Sequence, residues 1–307
     1  MLEASNISHT FYRHTPFSRQ AINGVGLQLA PGETVLLTGP SGSGKTTLAR
    51  ILGGLLQPAT GTVRFNGVDL YDGKGRQVPE PDRVVMACQY PERQFFAKTV
   101  WEELSWGLRL GYGMRDAEVA RRLGKMSADL AFPLNELVNS SPRSLSFGQQ
   151  RKAALVSLLA LDPQVLILDE PLAGLNAKER NRLISVLRHW LTRHRSMLVV
   201  AHELELFLDW VGKVAVMVAG RLVYWGSPTE LWQTADPAVR QAVSLPPLVE
   251  LSFYLKQSGL SKGPVSSDAA LVRHQLNEAL TRLTIKKSPP PSEPKRANKR
   301  QPATGDG

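Results

Sequence analysis

Short apolar runs alternate with amphipathic stretches through most of the chain, which predicts strands and helices in turn. Val165 to Leu168 is apolar at every position, as expected for a strand covered on both faces of its sheet. Four more strands are predicted at 34–38, 83–88, 196–201 and 214–218. Helical spacing follows at 47–52, at 177–194 and after His202. The alternation favours an α/β core with a parallel sheet.

Two other regions have different patterns. Residues 2–32 form alternating runs broken by glycine and proline, and 61–67 ends in Asn-Gly, so we expect an antiparallel β region before and beside the core. Residues 99–138 have helical spacing, and Thr99 with Glu102 forms a capping box at its start. A further helix is predicted to open at 144–148 and to stop before Pro163.

The helical spacing continues beyond residue 236, but the strands end there. We therefore predict a core domain over 1–235, with a helical subdomain at about 95–160, and a small helical appendage over 236–285. The segment 286–307 is rich in proline and carries six basic residues against two acidic ones, so it supplies +4 of the net charge of +10. Because it contains almost nothing apolar, we expect this tail to be disordered.

Composition narrows the class of protein. The 42% hydrophobic and 21% charged residues are ordinary for a soluble globular chain, and no apolar run reaches the roughly 18 residues of a membrane span. The N-terminus lacks the features of a signal peptide. A single cysteine, Cys88, excludes an intramolecular disulfide. We expect a cytoplasmic chain, unless a partner brings it to a membrane.

A glycine-rich loop joins the strand at 34–38 to the helix at 47–52. Its glycines allow the backbone amides to face phosphate oxygens, and the helix N-terminus beyond adds a positive dipole end. In this pattern the lysine reaches the β- and γ-phosphates of a nucleotide, and the hydroxyl after it binds Mg²⁺. The loop consists of Gly39, Pro40, Ser41, Gly42, Ser43, Gly44, Lys45, Thr46 and Thr47.

Two adjacent carboxylates, Asp169 and Glu170, follow the apolar run at 165–168. Beside a phosphate loop, such a pair can divide the work of phosphoryl transfer. Asp169 is predicted to hold Mg²⁺ and Glu170 to polarise an attacking water. Together, the loop and the carboxylates predict a nucleotide-hydrolysing site.

From about Leu2 to Ala235 the chain resembles the ATP-binding subunit of an ABC transporter. Gln89 fits the family's Q-loop, which senses Mg²⁺ and nucleotide and touches the transmembrane partner. Residues 145–149, LSFGQ, fit the signature motif, which places Ser146, Gly148 and Gln149 on the ATP of an opposing subunit. Residues 173–176 fit the D-loop, and His202 fits the H-loop, whose imidazole contacts the γ-phosphate.

Two residues depart from the family pattern. Phe147 replaces the first glycine of the signature motif, and Asn176 replaces the usual D-loop aspartate. The second change removes a charge where two subunits meet. Phe11 and Tyr12 are both candidates for stacking on adenine, and alignment with the family favours Phe11.

The subfamily is indicated by 89–95, QYPERQF, by 245–251, LPPLVEL, and by the Thr15-Pro16-Phe17 segment. These resemble the ATPases of energy-coupling factor transporters, which import vitamins or transition-metal ions. The resemblance implies a second ATPase subunit, alike or different, a transmembrane coupling protein and a substrate-capturing membrane protein. It places the chain peripherally on the cytoplasmic face of the cell membrane.

Two alternatives start from the basic charge. A cytosolic ABC protein acting on nucleic acid or ribosomes would use it for binding. The chain, however, has one phosphate loop and one signature motif, and much of its excess charge lies in the tail. The tail could instead contact anionic lipid or serve only solubility.

Overall fold

A computed structural model describes residues 1–71, 84–90, 95–191, 194–234, 236–266 and 268–287 of the chain. The chain divides into two compact units, Met1–Pro246 and Pro247–Gly307. The strands of the first unit are β1 Leu2–Phe11, β2 Arg19–Leu29, β3 Thr34–Thr38, β4 Thr60–Phe65, β5 Val68–Asp69, β6 Val84–Ala87, β7 Val165–Asp169, β8 Ser196–Val200, β9 Lys213–Val218 and β10 Arg221–Gly226.

Helices connect these strands. Those of the first unit are α1 Lys45–Leu52, α2 Val100–Trp106, α3 Asp116–Leu130, α4 Leu134–Leu137, α5 Phe147–Ala160, α6 Ala177–Trp190, α7 Pro228–Gln233 and α8 Pro237–Ala242. A π-helical turn, Gly107–Gly111, continues α2. The predicted capping box at Thr99 and Glu102 is present at the start of α2. Helices α2, α3 and α5 pack on one another.

The strands form two sheets. One has the order β2-β1-β4-β5, and all its pairs are antiparallel. The other has the order β10-β9-β3-β8-β7-β6, and its pairs are parallel except for the terminal hairpin of β9 and β10. One hydrophobic core joins both sheets with α1. The predicted α/β core with an antiparallel region beside it is confirmed.

The register of the parallel strands determines where the candidate site residues lie. Leu37 pairs with Val200, Asp169 pairs with Val200, and Ala87 pairs with Leu168. The carboxyl ends of β3, β6, β7 and β8 therefore meet at one edge of the sheet, where open α/β sheets bind their ligands.

Two predicted helices are shorter than expected. The helix predicted after His202 is a 3₁₀ turn, Leu204–Leu206, followed by separate turns. The N–H of Val211, for example, bonds the carbonyl of Phe207 at 3.0 Å. The helix predicted over 177–194 ends at Trp190, whose carbonyl accepts a hydrogen bond from Arg195 Nη1 at 3.1 Å.

The first compact unit extends to Pro246, eleven residues beyond the end of the core domain predicted at 235. Helix α8 packs against β9 and β10, and its Val239 is buried. Helical spacing alone did not separate this helix from the appendage, because both have the same period.

The second unit contains α9 Pro247–Gln257 and α10 Ala269–Lys287, which pack on each other. The buried Ser252 hydroxyl donates to Gln275 Oε1 at 3.0 Å, and Gln275 Nε2 donates to the Pro264 carbonyl at 2.8 Å. The predicted tail at 286–307 overlaps the last two residues of α10, and 288–307 lie outside the described residues.

Candidate functional site

The sheet edge described above borders a cavity of about 300 Å³. Its lining combines the phosphate loop, both carboxylates and the candidate sensor residues. The lining residues are Phe11, Arg19, Ala21, Ser41, Gly42, Gly44, Lys45, Thr46, Thr47, Gln89, Asp169, Glu170, Val200 and His202. The structure thus brings together side chains that the sequence places up to about 190 residues apart.

The phosphate loop has a backbone that side chains would obstruct. Gly39, Gly42 and Gly44 have φ values of 137°, 75° and 106°, in the region that favours glycine. A Cβ on Gly39 would lie 2.1 Å from the Met217 carbonyl oxygen, and one on Gly44 would lie 2.4 Å from that of Ala21. Within the described residues, no side chain caps the N-terminus of α1, so its first amides are available to an anion.

Lys45 begins α1 and is buried. Its Nζ donates to the carbonyl of Gly39 at 2.9 Å and to that of Pro40 at 3.0 Å. Burial lowers the pKa of Lys45, and the negative charges of Glu170 and Asp169 oppose that shift. The ammonium is therefore held at the loop by main-chain acceptors that phosphate oxygens can replace.

Asp169 ends β7 and is 2% exposed. Neither of its carboxylate oxygens makes a hydrogen bond of normal geometry within the described part of the chain. Burial raises its pKa, opposed by the nearby Thr46 hydroxyl and by the charges of Arg50 and Lys45. Buried carboxylate oxygens that have no hydrogen-bond partner of normal geometry among the described residues, and that lie near the Thr46 hydroxyl, suit a hard divalent cation such as Mg²⁺.

Glu170 has φ 51°, an uncommon backbone for a residue other than glycine. Its N–H donates to the Val200 carbonyl at 2.9 Å, and its Oε1 lies 3.3 Å from His202 Nε2. Burial and the charge of Asp169 raise the pKa of Glu170. Burial and the charge of Lys45 lower the pKa of His202. A carboxylate that accepts protons more readily than usual thus faces an imidazole that stays neutral.

Phe11 and Tyr12 have different surroundings. Phe11 lines the cavity and is partly buried, whereas Tyr12 is 72% exposed and is absent from the lining. Sequence reasoning missed Arg19, which lines the same cavity and donates to the Gly42 carbonyl at 3.3 Å. Arg19 pairs directly with Phe11 across β1 and β2, so predicting that register would have found it.

Comparison with known proteins places this site in a family. The sequence profile described as "ABC transporter" matches residues 22–173. The Energy-coupling factor transporter ATP-binding protein EcfA2 of Thermotoga maritima is 34% identical over 237 residues, 77% of this chain and 86% of that protein. The chain belongs to the ABC transporter family. The EcfA2 protein of Symbiobacterium thermophilum is also 34% identical, over 86% of this chain and 92% of its own length.

Solved ABC structures share the fold. A dimeric ATP-binding cassette in a post-hydrolysis state bound to ADP and Pi superposes with a TM-score of 0.66 at 22% identity, covering 74% of this chain and 98% of that one. The cbiO1 protein of Clostridium perfringens, described as part of the ABC transporter complex cbiONQ, has a TM-score of 0.62 at 24% identity, covering 84% and 96%. The predicted resemblance to ABC ATPases of the energy-coupling factor type is confirmed.

The ABC signature segment, residues 145–149, is absent from the cavity lining in the described part of the chain. Ser146 instead caps α5, where its Oγ accepts from Gln149 N–H and Gln149 Oε1 accepts from Ser146 N–H at 2.9 Å. The ring of Phe147 lies against Gly174, where an added Cβ would be 2.7 Å from its Cε1 atom. Asn176, the second departure from the ABC pattern, caps α6.

A larger cavity of about 770 Å³ lies between α3, α5 and α6 and is lined by several cationic side chains. These cations already have protein acceptors. Arg182, for example, donates to the carbonyls of Ala128 and Asp129, and Lys125 pairs with the Asp129 carboxylate at 3.0 Å. The phosphate-loop cavity therefore remains the candidate site of this ABC protein.

Proposed function

We propose that the chain is the ATP-binding and ATP-hydrolysing subunit of an energy-coupling factor type ABC importer. The main support for this proposal is that Lys45, Glu170 and His202 line one cavity at the carboxyl edge of the parallel sheet. The family match and the names of the relatives favour this proposal over the nucleic-acid alternative.

In this proposal the phosphate loop binds the nucleotide through its main chain. The amides of 41–47 and the uncapped start of α1 face the phosphate oxygens, while Lys45 exchanges the carbonyls of Gly39 and Pro40 for the β- and γ-phosphates. Phe11 stacks on the adenine ring.

Hydrolysis is assigned to Glu170 and His202. Water attacks the γ-phosphorus, Glu170 accepts the proton of that water, and the bond between the β–γ bridging oxygen and the γ-phosphorus breaks, so that ADP and phosphate leave. The raised pKa of Glu170 makes it a better base than an exposed glutamate. The neutral His202 has a single N–H. Its Nε2, which lies 3.3 Å from Glu170 Oε1, is assigned to donate that hydrogen to the γ-phosphate when ATP is bound.

Thr46, Asp169 and Gln89 are the residues proposed to hold Mg²⁺. The carboxylate oxygens of Asp169, which make no hydrogen bond of normal geometry to the part of the chain that the structure describes, support this assignment. When bound, the ion neutralises charge on the β- and γ-phosphates.

The proposed active unit is a dimer. Ser146, Gly148 and Gln149 are proposed to contact the nucleotide of an opposing ATPase subunit, identical or different. Their absence from the cavity of their own subunit, within the described residues, supports this. A TM-score of 0.66 with a cassette described as dimeric adds fold-level support.

The remaining partners are a transmembrane coupling protein and a substrate-capturing membrane protein, which would hold the chain peripherally on the cytoplasmic face of the membrane. None of the helices in the described residues is long and apolar enough to span a bilayer. Phe96 and Trp106 stack edge to face at 4.9 Å, and both are more than half exposed. They provide an apolar surface for such a partner.

The hydrolysis proposal is tested with Glu170→Gln in the complex purified with its partners. We expect kcat to fall at least 100-fold, because general base catalysis typically contributes about 10²–10⁴, while binding of a fluorescent ATP analogue persists. Glu230→Gln is the matched control, since Glu230 is an exposed capping residue of α7. Undiminished hydrolysis by the Glu170 variant would overturn the role assigned to this carboxylate.

The transport proposal is tested by purifying the tagged chain from membranes in mild detergent. Recovery of two membrane proteins, with or without a different ABC ATPase, supports it. Recovery of ribosomes or nucleic acid instead, with no membrane protein, would favour the alternative.

A further inference from the structure

Arg151 lies in the first turns of α5 and is 2% exposed. Its Nη2 donates to the carbonyl of Glu170, and its Nε donates to the carbonyl of Pro171 at 3.0 Å. The planar fork of a guanidinium suits two adjacent carbonyls in a way that a lysine ammonium does not. Burying a charge is costly unless it is paired or hydrogen-bonded, so this contact requires an explanation.

The backbone that Arg151 holds is an unusual one. Glu170 has φ 51°, although it precedes Pro171, and residues before proline are normally pushed toward extended conformations. Such a conformation persists where the surrounding structure fixes it from several sides. Here the N–H of Glu170 is held by Val200 and its carbonyl by Arg151.

Helix α5 contacts the segment after Glu170 at two further places. The ring of Phe147 lies against Gly174. Lys152 Nζ pairs with Glu179 Oε1 on α6 at 2.7 Å. The same helix starts with the signature segment, which carries Ser146 at its N-cap.

We infer that Arg151 is a positioning residue for Glu170. Through Arg151, helix α5 fixes the backbone of the proposed base. The inference rests on the proposed function, in which the signature segment serves the opposing subunit's nucleotide. Helix α5 then contacts the opposing subunit's nucleotide through the signature segment and its own subunit's site through the contact of Arg151 with Glu170. A shift of α5 when the opposing site closes is carried by Arg151 to the carbonyl of Glu170, so that hydrolysis at one site depends on occupancy of the other.

The kinetic test uses Arg151→Lys, which keeps the charge but loses the fork, and Arg151→Met, which removes both. In the purified complex we expect kcat to fall about 10-fold or more with KM for ATP changed less than about threefold, as for a group acting after binding. Lys125→Met is the matched control, because it removes an exposed cation of α3 whose partner, Asp129, lies on the same helix, and it should change kcat less than about twofold. A loss of kcat in this control as large as that in the Arg151 variants would overturn the inference.

A double-mutant cycle with Glu170→Gln separates positioning from folding. If Arg151 acts through Glu170, Arg151→Lys should lower the residual rate of the Glu170→Gln variant by less than about twofold. A role in general stability predicts the full 10-fold loss in both backgrounds and would contradict the inference.

Hydrogen exchange of the nucleotide-free protein gives a readout that does not need hydrolysis. The Glu170 amide, bonded to Val200, should exchange at least about tenfold faster in Arg151→Lys than in the parent and the Lys125→Met control. If the parent complex fails to hydrolyse ATP, the proposed function fails while the exchange result still decides the role of Arg151. Unchanged exchange in both Arg151 variants would overturn it.

Discussion

The Nε2 atom of His202 lies 3.3 Å from the Oε1 atom of Glu170, and their surroundings move the two pKa values toward each other. Burial and Asp169 raise the pKa of the carboxyl, while burial and Lys45 lower the pKa of the imidazole. The lowered pKa of His202 keeps its imidazole neutral at neutral pH. As the pH falls, protonation of Glu170 removes the proposed base.

The raised pKa of Glu170 predicts an acid limb in the pH profile of ATP hydrolysis. Below the pKa of Glu170, kcat/KM should fall about tenfold per pH unit, and the midpoint should lie above the ordinary glutamate value. The pH profile is measured as steady-state ATP hydrolysis by the purified complex at about ten pH values between roughly pH 5 and pH 8. Binding of a non-hydrolysable ATP analogue over the same range controls for titration of the nucleotide. A midpoint at or below the ordinary value would contradict the prediction.

Glu170→Gln should also stabilise the nucleotide-free protein at neutral pH. The pKa of Glu170 is raised in the folded state, so folding favours the protonated form. Its contribution to stability is fullest below the unfolded pKa and is lost as the pH rises through the folded pKa. Removing the charge should therefore add on the order of 1 kcal/mol at pH 7.5, about 2–4 °C in Tm.

Thermal unfolding at several pH values measures this gain, which should vanish toward low pH. Glu118→Gln is a control of opposite sign, because hydrogen bonds from Arg121 and Arg122 lower the pKa of Glu118 to about 2. Its stabilising contribution is present above the unfolded pKa and is lost as the pH falls, so this variant should not gain stability at pH 7.5. A higher Tm in both variants would show that charge removal in general is responsible.

Much of the site could be predicted from local sequence. The phosphate loop at 39–47 lies between a strand and a helix, and the carboxylates follow a strand that ends at Asp169. Such segments carry their own signal, because their glycines, apolar runs and polar ends specify both conformation and chemistry. The parallel sheet then follows from the alternation of strands and helices.

The remaining features depend on contacts that no local pattern encodes. Arg19 enters the cavity only because β1 and β2 pair with Phe11 opposite it. Arg151 reaches Glu170 through packing of α5 on the loop after β7. Helix α8 joins the first unit because Val239 is buried there. In each case the period or motif of the sequence is compatible with several placements, and packing selects one.

Gly39→Ala should abolish nucleotide binding and destabilise the fold. The new Cβ would lie 2.1 Å from the Met217 carbonyl at φ 137°, so strained backbone alone costs about 1–3 kcal/mol. Gly124→Ala in α3 is the matched control, because its Cβ meets no atom within 4 Å and helix propensity predicts a gain of up to about 1 kcal/mol. Chemical denaturation and ATP titration measure both variants. Normal binding by Gly39→Ala would contradict the close packing of the loop on β9.

Phe11→Ala should weaken ATP binding, whereas Tyr12→Ala should leave it within about twofold. Phe11 lines the cavity beside the phosphate loop, while Tyr12 is 72% exposed with φ 51°. Stacking of an aromatic ring on a base contributes about 1–3 kcal/mol, which corresponds to a rise in Kd of at least about fivefold. Equilibrium titration with a fluorescent ATP analogue measures both variants.

Inorganic tripolyphosphate separates loss of stacking from damage to the loop. It presents the phosphates without a base, so its affinity depends on Lys45 and the main-chain amides and should be the same in the parent and in Phe11→Ala. If Phe11→Ala weakens tripolyphosphate as much as ATP, then Phe11 supports the loop structurally. If Tyr12→Ala shows the selective loss of ATP instead, Tyr12 is the residue that stacks on adenine, and its exposed position must change when the nucleotide binds.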